Sequence, residues 1–107
     1  KIDAENVIVF HDDLDINFGK IKAKFGGSSA GHNGIESIDK FIGKDYSRIR
    51  IGIGKPNGNG DAVEHVLKDF DEEEKLELNN ITKNITNSLT ILLDKKLDLF
   101  SSTVNSR

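Results

Sequence analysis

Two runs in this chain alternate so strictly that they narrow the choice of fold. SRIRIGIG (residues 47–54) puts Arg48 and Arg50 on one side of an extended backbone and Ile49, Ile51 and Ile53 on the other. KIKAKF (residues 20–25) does the same with Lys20, Lys22 and Lys24 against Ile21, Ala23 and Phe25. A period of two belongs to a half-buried strand. Both runs are therefore predicted as strands with one basic and one apolar face, and their apolar faces need a core to cover them. Val7-Ile8-Val9-Phe10 is continuously apolar instead and is predicted to be a fully buried strand, central and parallel.

The segments between these runs change period. Ile35, Ile38, Phe41 and Ile42 recur at helical spacing, so IESIDKFI is predicted as a short amphipathic helix ending near Gly43. A second short helix is predicted over residues 62–68. A long helix over residues 71–97 carries the stripe Leu78, Ile81, Ile85, Leu89 and Leu92. Asp71 stands where an N-cap belongs, with Glu74 three residues on. Glu72 to Glu74 suit the positive end of the helix dipole, and Lys95 and Lys96 the negative end. SSTVNSR reads as a tail. The order β, β, α, β, α, α gives an α/β domain with parallel and antiparallel strand neighbours, and 107 residues suit one domain.

Composition narrows the function classes. Without cysteine, neither a disulfide framework nor a thiolate metal site can form, which fits a cytoplasmic protein. No apolar run approaches the ~18 residues of a membrane span, and no signal-peptide pattern opens the chain. The chain opens on Lys1 rather than Met, as expected of a piece of a longer protein. The net charge of −3 is uneven: residues 1–56 carry nine Lys/Arg against eight Asp/Glu, residues 57–107 six against ten. A globally basic nucleic-acid binder is excluded, so any polyanion site must be a local patch.

Four constellations could carry chemistry. In FGGSSAGHNGI, Gly27 to Gly31 matches G-x-S-x-G between a predicted strand and a predicted helix, which would make Ser29 a nucleophile. That nucleophile needs a histidine base held by a carboxylate. The only distant histidine, His65, falls in a predicted helix, and an α/β-hydrolase needs far more chain. A P-loop reading fails because His32-Asn33 stand where Lys-Ser/Thr should. Asn33 could alternatively be the helix N-cap. The second constellation is HDDLD. Adjacent carboxylates point in alternate directions, so one of Asp12 and Asp13 should face a crevice beyond the strand end, where it could orient a histidine. An EF-hand reading fails, with Phe18 and Lys24 at the required glycine and glutamate positions. Third, Lys20, Lys22, Lys24, Arg48 and Arg50 could form a phosphate-binding strip or simply protect solvent-facing strands from edge pairing. Fourth, the glycines of IGIGKPNGNG are too irregular for a dinucleotide fingerprint, and a flexible loop is expected there.

Together, VIVFHDDLD, KIKAKFGGSSAGHNGIESI and YSRIRIGIGKP resemble, in order and spacing, the bacterial-type peptidyl-tRNA hydrolase family. The resemblance implies a mixed, twisted sheet flanked by helices (a phosphorylase/hydrolase-like fold) in a monomeric cytoplasmic enzyme. Such an enzyme cleaves the ester joining a peptide to its tRNA and needs no metal or cofactor. By the same resemblance Asp12 partners the catalytic histidine, Asn33 positions substrate or water, and His32 sits at the rim. Lys24 and Arg50 hold the tRNA 5′-phosphate, with Lys22 alongside. The family's catalytic histidine and further asparagines lie upstream of the apolar strand. This chain is accordingly expected to be the C-terminal portion of the domain, with little catalysis and poor stability alone because a central strand lacks its neighbours. Two departures stand out: Ser28 and Ser29, where some relatives carry histidine or glycine, and INFG, where proline is common. A non-catalytic RNA-binding module is the alternative from a different class.

Overall fold

The computed structural model describes residues 2–54 and 70–106. A 3₁₀ turn (Ala4–Asn6) leads into β1 (Ile8–Asp13). β2 (Ile21–Phe25), α1 (Asn33–Ile42) and β3 (Ser47–Gly52) follow, then α2 (Glu72–Asn87), α3 (Leu89–Leu93) and α4 (Leu97–Asn105). The strands lie in the order β1-β3-β2, with β1 parallel and β2 antiparallel to β3. This is the mixed α/β sheet the alternation implies. The predicted helix over residues 62–68, His65 and most of the GKPNGNG loop lie outside the described residues.

Register turns the alternation into two chemically distinct faces. Arg50 sits opposite His11 on one side and Lys22 on the other, and Arg48 opposite Val9 and Lys24. Ile49 is opposite Phe10 and Ala23. The isoleucine face carries the core: Ile21 and Ile49 are fully buried against Ile81, Leu92, Phe100 and Val104. Burying one such side chain contributes about 1.5–3 kcal/mol.

Three expectations are corrected. β1 is the sheet edge among the described residues, not its centre. None of its residues is fully buried, and Phe10 is 42% exposed, with no described strand paired on its outer side. The strand also runs on through Asp13, so HDD lies inside it rather than after it. The long helix is three helices. Its capping box is present, with Asp71 Oδ1 accepting from the Glu74 N–H (2.8 Å) and Glu74 Oε1 from the Asp71 N–H (3.1 Å). The helix nevertheless ends at Ser88, whose side chain is buried. Lys95, in the left-handed region at φ 61°, then turns the chain back towards the sheet. No glycine or proline marks either break, so the pattern alone did not show them. In the predicted stripe Leu89 is 42% exposed, and Ile91 packs on the core instead.

The predicted tail is the second half of α4, and it seals an edge. Asn105 Oδ1 accepts from the Ile21 N–H (2.9 Å), Asn105 Nδ2 donates to the Ile21 carbonyl (2.6 Å), and Ser101 Oγ accepts from the Ala23 N–H (2.8 Å). Residues four apart on a helix and two apart on a strand both span about 6 Å, so the two spacings match. Helix side chains thereby replace the missing strand partner of β2. At the other end of β3, Gly52 is required by close approach: a Cβ there would collide with the Asn17 carbonyl oxygen. The INFG stretch folds onto the strand end, where Gly19 N–H donates to the Gly52 carbonyl (3.0 Å).

Asn105→Ala removes both bonds to Ile21 and leaves a strand-edge N–H unpaired. We expect a loss of about 1–3 kcal/mol in denaturant unfolding with an unchanged m-value. An unchanged midpoint would contradict the edge-sealing role.

Candidate active site

The site forms where β1 ends and the glycine loop between β2 and α1 passes over it. Alternation sends Asp12 and Asp13 apart, as the HDDLD pattern requires. Asp12 Oδ1 accepts from His32 Nε2 at 2.7 Å. His32, not Asn33, is the N-cap of α1: its Nδ1 accepts from the Ile35 N–H at 3.2 Å. These two bonds together assign the tautomer, with the proton on Nε2. Burial alone would raise the Asp12 carboxyl. The His32 hydrogen bond, its own backbone N–H and the two nearby histidines outweigh that and hold it below the usual range.

His11 completes a small imidazole cluster. Its ring packs edge-on to His32, 5.1 Å between centroids at 71°. Its Nδ1 donates to the Asp12 carbonyl at 2.9 Å, which leaves Nε2 as a buried lone pair without a hydrogen-bond partner. Burial lowers the His11 pKa first, and the neighbouring His32 ring adds to this. The Asp12 carbonyl and the Asp13 and Asp12 carboxylates oppose it without prevailing. His11 is thus held as the neutral imidazole.

Two adjoining cavities share His11, Asp13, Ser29 and Ala30 as a common wall. The first, of about 230 Å³, lies between the end of β1 and loop residues 29–32, with Asp12 and His32 in its lining. The second, of about 150 Å³, is lined by Lys24, Arg48 and Arg50. Ala30, in both walls, is a non-glycine residue at φ 49°, a strained position of the kind that clusters at functional sites.

The three cations of the second cavity are not equivalent. Arg48 is 2% exposed. It donates to Asp39 Oδ1 (3.0 Å) and to the Ser28 carbonyl (3.1 Å) and lies 4.7 Å from the Tyr46 ring centre. It holds the glycine loop in place. Asp39 also accepts from the Tyr46 hydroxyl (2.7 Å), and burial followed by that bond raises the phenol pKa. Arg50 Nε donates to Asp13 Oδ2 at 2.8 Å. Lys24 has no ion pair among the described residues. Its side chain lies over Gly27, where a Cβ would come within 2.9 Å of both Cε and Nζ.

Comparison with known proteins gives the family. The sequence model of the peptidyl-tRNA hydrolase family matches residues 1–107. The chain belongs to the peptidyl-tRNA hydrolase family. A peptidyl-tRNA hydrolase of Pelagibacter ubique is 75% identical over 107 residues, covering 100% of this chain and 58% of the relative. One of Rickettsia typhi is 45% identical over 103 residues, covering 96% and 56%. The crystal structure of an Arg119Gln mutant of the Acinetobacter baumannii peptidyl-tRNA hydrolase superposes with a TM-score of 0.84 at 30% identity, covering 96% of this chain and 53% of that one. The chain thus spans a little over half the length of these relatives.

Against the family expectation, Asp12, His32, Lys24 and Arg50 all line the paired cavities. Among the described residues Asp12 is hydrogen-bonded to His32. Asn33 is the first residue of α1, exposed, and lines neither cavity. Lys22 is exposed on β2 opposite Arg50, on the same face but outside the second cavity. Among the described residues Ser29 gains no histidine base. Its hydroxyl donates to Glu36 Oε1 (3.3 Å), His32 has both ring nitrogens committed, and the positive φ falls on Ala30 rather than on the serine. Asp12 and Asp13 turn to His32 and Arg50, so the acidic run does not converge on a cation. Sequence reasoning gave no role to His11, and it placed Arg48 in a basic strip rather than as the buried residue that holds the loop. The two-residue period could have placed His11 beside Arg50, but the burial of Arg48 under α1 left no local signal.

The lowered His11 pKa makes a signed prediction. A proton NMR titration should give His11 a midpoint below 6.5. The unfolded chain then binds this proton more readily than the folded one. The contribution to stability is complete above about pH 6.5 and is lost as pH falls through the folded value. A His11 midpoint above 6.5 would contradict the burial of its ring.

Proposed function

We propose that this chain serves a peptidyl-tRNA hydrolase, a monomeric cytoplasmic enzyme that cleaves the ester between a peptide and the 3′-terminal ribose of tRNA. The observation that carries the reading is the contiguity of the two cavities. One holds an ionised carboxylate hydrogen-bonded to an imidazole, and the other a lysine without an ion pair among the described residues beside an arginine.

Ester hydrolysis needs water deprotonated by a base and donors for the developing oxyanion. In this reading Asp12 is the carboxylate that orients the general-base histidine. It remains accessible for that role, since 40% of its side chain stays exposed despite the His32 bond. Neither described histidine offers a free lone pair to the first cavity, because His32 is committed at both nitrogens and His11 Nε2 is shut away from solvent. Following the family resemblance, we assign water activation to a histidine upstream of the span of this chain. His32 fixes the carboxylate from the opposite side. Asn33, at the start of α1, is assigned to positioning substrate or water.

The second cavity suits the 5′-terminal phosphate of the tRNA. Lys24 supplies an uncompensated ammonium and Arg50 a guanidinium with both Nη groups free of hydrogen bonds among the described residues. Lys22 extends the same face towards the sugar–phosphate backbone.

The test is release of labelled peptide from peptidyl-tRNA by the intact protein. Asp12→Ala should lower kcat by about 10²-fold or more, the usual scale of acid–base assistance. Lys24→Ala and Arg50→Ala should weaken tRNA binding, and each should reduce the salt slope by about one. Binding without turnover would favour an RNA-binding module instead. Unchanged activity in Asp12→Ala would remove that residue from the mechanism, and unchanged salt slopes would remove the phosphate cavity.

A further inference from the structure

A carboxylate stands where a phosphate cavity should least want one. Asp13 lines the second cavity, its side chain is only 9% exposed, and by simple charge it repels the anion that Lys24 and Arg50 would attract. Its geometry shows another use. Oδ2 accepts from Arg50 Nε at 2.8 Å, and Oδ1 accepts from the Asp15 backbone N–H, also at 2.8 Å. Each carboxylate oxygen therefore has its own partner, one on β3 and one in the turn that follows β1. Gly52 stands directly opposite Asp13 in the sheet, so no side chain comes between Asp13 and Arg50 on the next position of the same face.

We propose that Asp13 is a positioning residue. It fixes the Arg50 guanidinium by its Nε edge so that the terminal Nη pair is presented to a terminal phosphate, and the bond from the Asp15 N–H to its other oxygen keeps the carboxylate itself from turning. The proposal rests on reading the second cavity as a phosphate site. An arginine side chain loses about 1.5–2 kcal/mol of rotamer freedom when ordered, and a pre-formed bond at Nε meets part of that cost before the ligand arrives. A fixed guanidinium also offers its two Nη donors in the paired geometry that a phosphate accepts. Arg48 cannot do this, because its Nη groups are already held by Asp39 and Ser28.

The proposal predicts the opposite sign from electrostatics alone. Removing a negative charge beside a bound anion should tighten binding, whereas removing a positioning group should loosen it. The test compares binding of 5′-phosphorylated and 5′-hydroxyl tRNA to the intact protein, with Asp13→Asn as the variant and Asp98→Asn on α4 as a charge control. Asp13→Asn should lower the preference for the 5′-phosphate about five- to tenfold while leaving 5′-hydroxyl tRNA bound as well as before or better. Asp98→Asn should leave the preference intact. In an Arg50→Lys background, which has no fork to aim, Asp13→Asn should change the preference no further. An equal or larger phosphate preference in Asp13→Asn would overturn the proposal while leaving the cavity reading in place. No phosphate preference in the unaltered protein would overturn both. If Asp13→Asn fails to fold, the Arg50 Nε–H resonance of the unaltered protein decides. It should be protected from exchange and keep its position when 5′-phosphorylated tRNA binds, and rapid exchange in both states would overturn the proposal.

Discussion

The structure depends on β3 being paired on both edges. A central strand has both backbone edges satisfied, so its side chains alone decide what lies above and below. Ile49 and Ile51 draw the helices onto one face, and Arg48 and Arg50 are held on the other by the same backbone. Core and site are therefore two readings of one alternating run. A one-residue slip in register would exchange them, putting arginines in the core and isoleucines in the cavity.

The two outer strands meet different fates. β2 would expose a row of backbone donors and acceptors, but Ser101 and Asn105 of α4 take them up, while Phe100 and Val104 of the same helix enter the core. The helix is docked by apolar contacts and aligned by polar ones. β1 has no such cover among the described residues, and its apolar Phe10 stands partly exposed. Its carboxyl end nevertheless carries most of the acidic side of the site. Asp12 and Asp13 are adjacent in sequence but serve different ends of it, since one is held by an imidazole and the other by a guanidinium.

Much of this was legible in the sequence, for physical reasons that differ by element. Period two is unambiguous, so the basic and apolar faces of β2 and β3 could be assigned from the letters alone. The Asp71–Glu74 capping box and the Gly43 stop are local chemistry and were equally plain. The breaks at Ser88 and Lys95 were not, because tertiary packing makes them without glycine or proline. SSTVNSR looked like a tail because its helix forms only against β2. In the site, the motifs located Asp12, His32, Lys24 and Arg50. They did not reveal that His32 caps α1, that Arg48 is a buried strut, or that His11 is a neutral ring between the cavities. The cap is a local contact of His32 with Ile35 that the letters could equally have given to Asn33, and the other two depend on contacts between residues about twenty apart or on burial that only the assembled fold creates.

The central claim is that the carboxylate–imidazole pair and the lysine–arginine pair form one site, spanning two ends of one substrate. A crystal structure of the intact protein with a 5′-phosphorylated tRNA acceptor-stem mimic carrying a non-hydrolysable 3′-aminoacyl amide tests this most directly. The account predicts the terminal phosphate within hydrogen-bonding distance of Lys24 Nζ and the Arg50 Nη groups, with the amide carbonyl in the cavity beside Asp12 and His32. A phosphate bound away from Lys24 and Arg50, or an amide outside the Asp12 cavity, would contradict it.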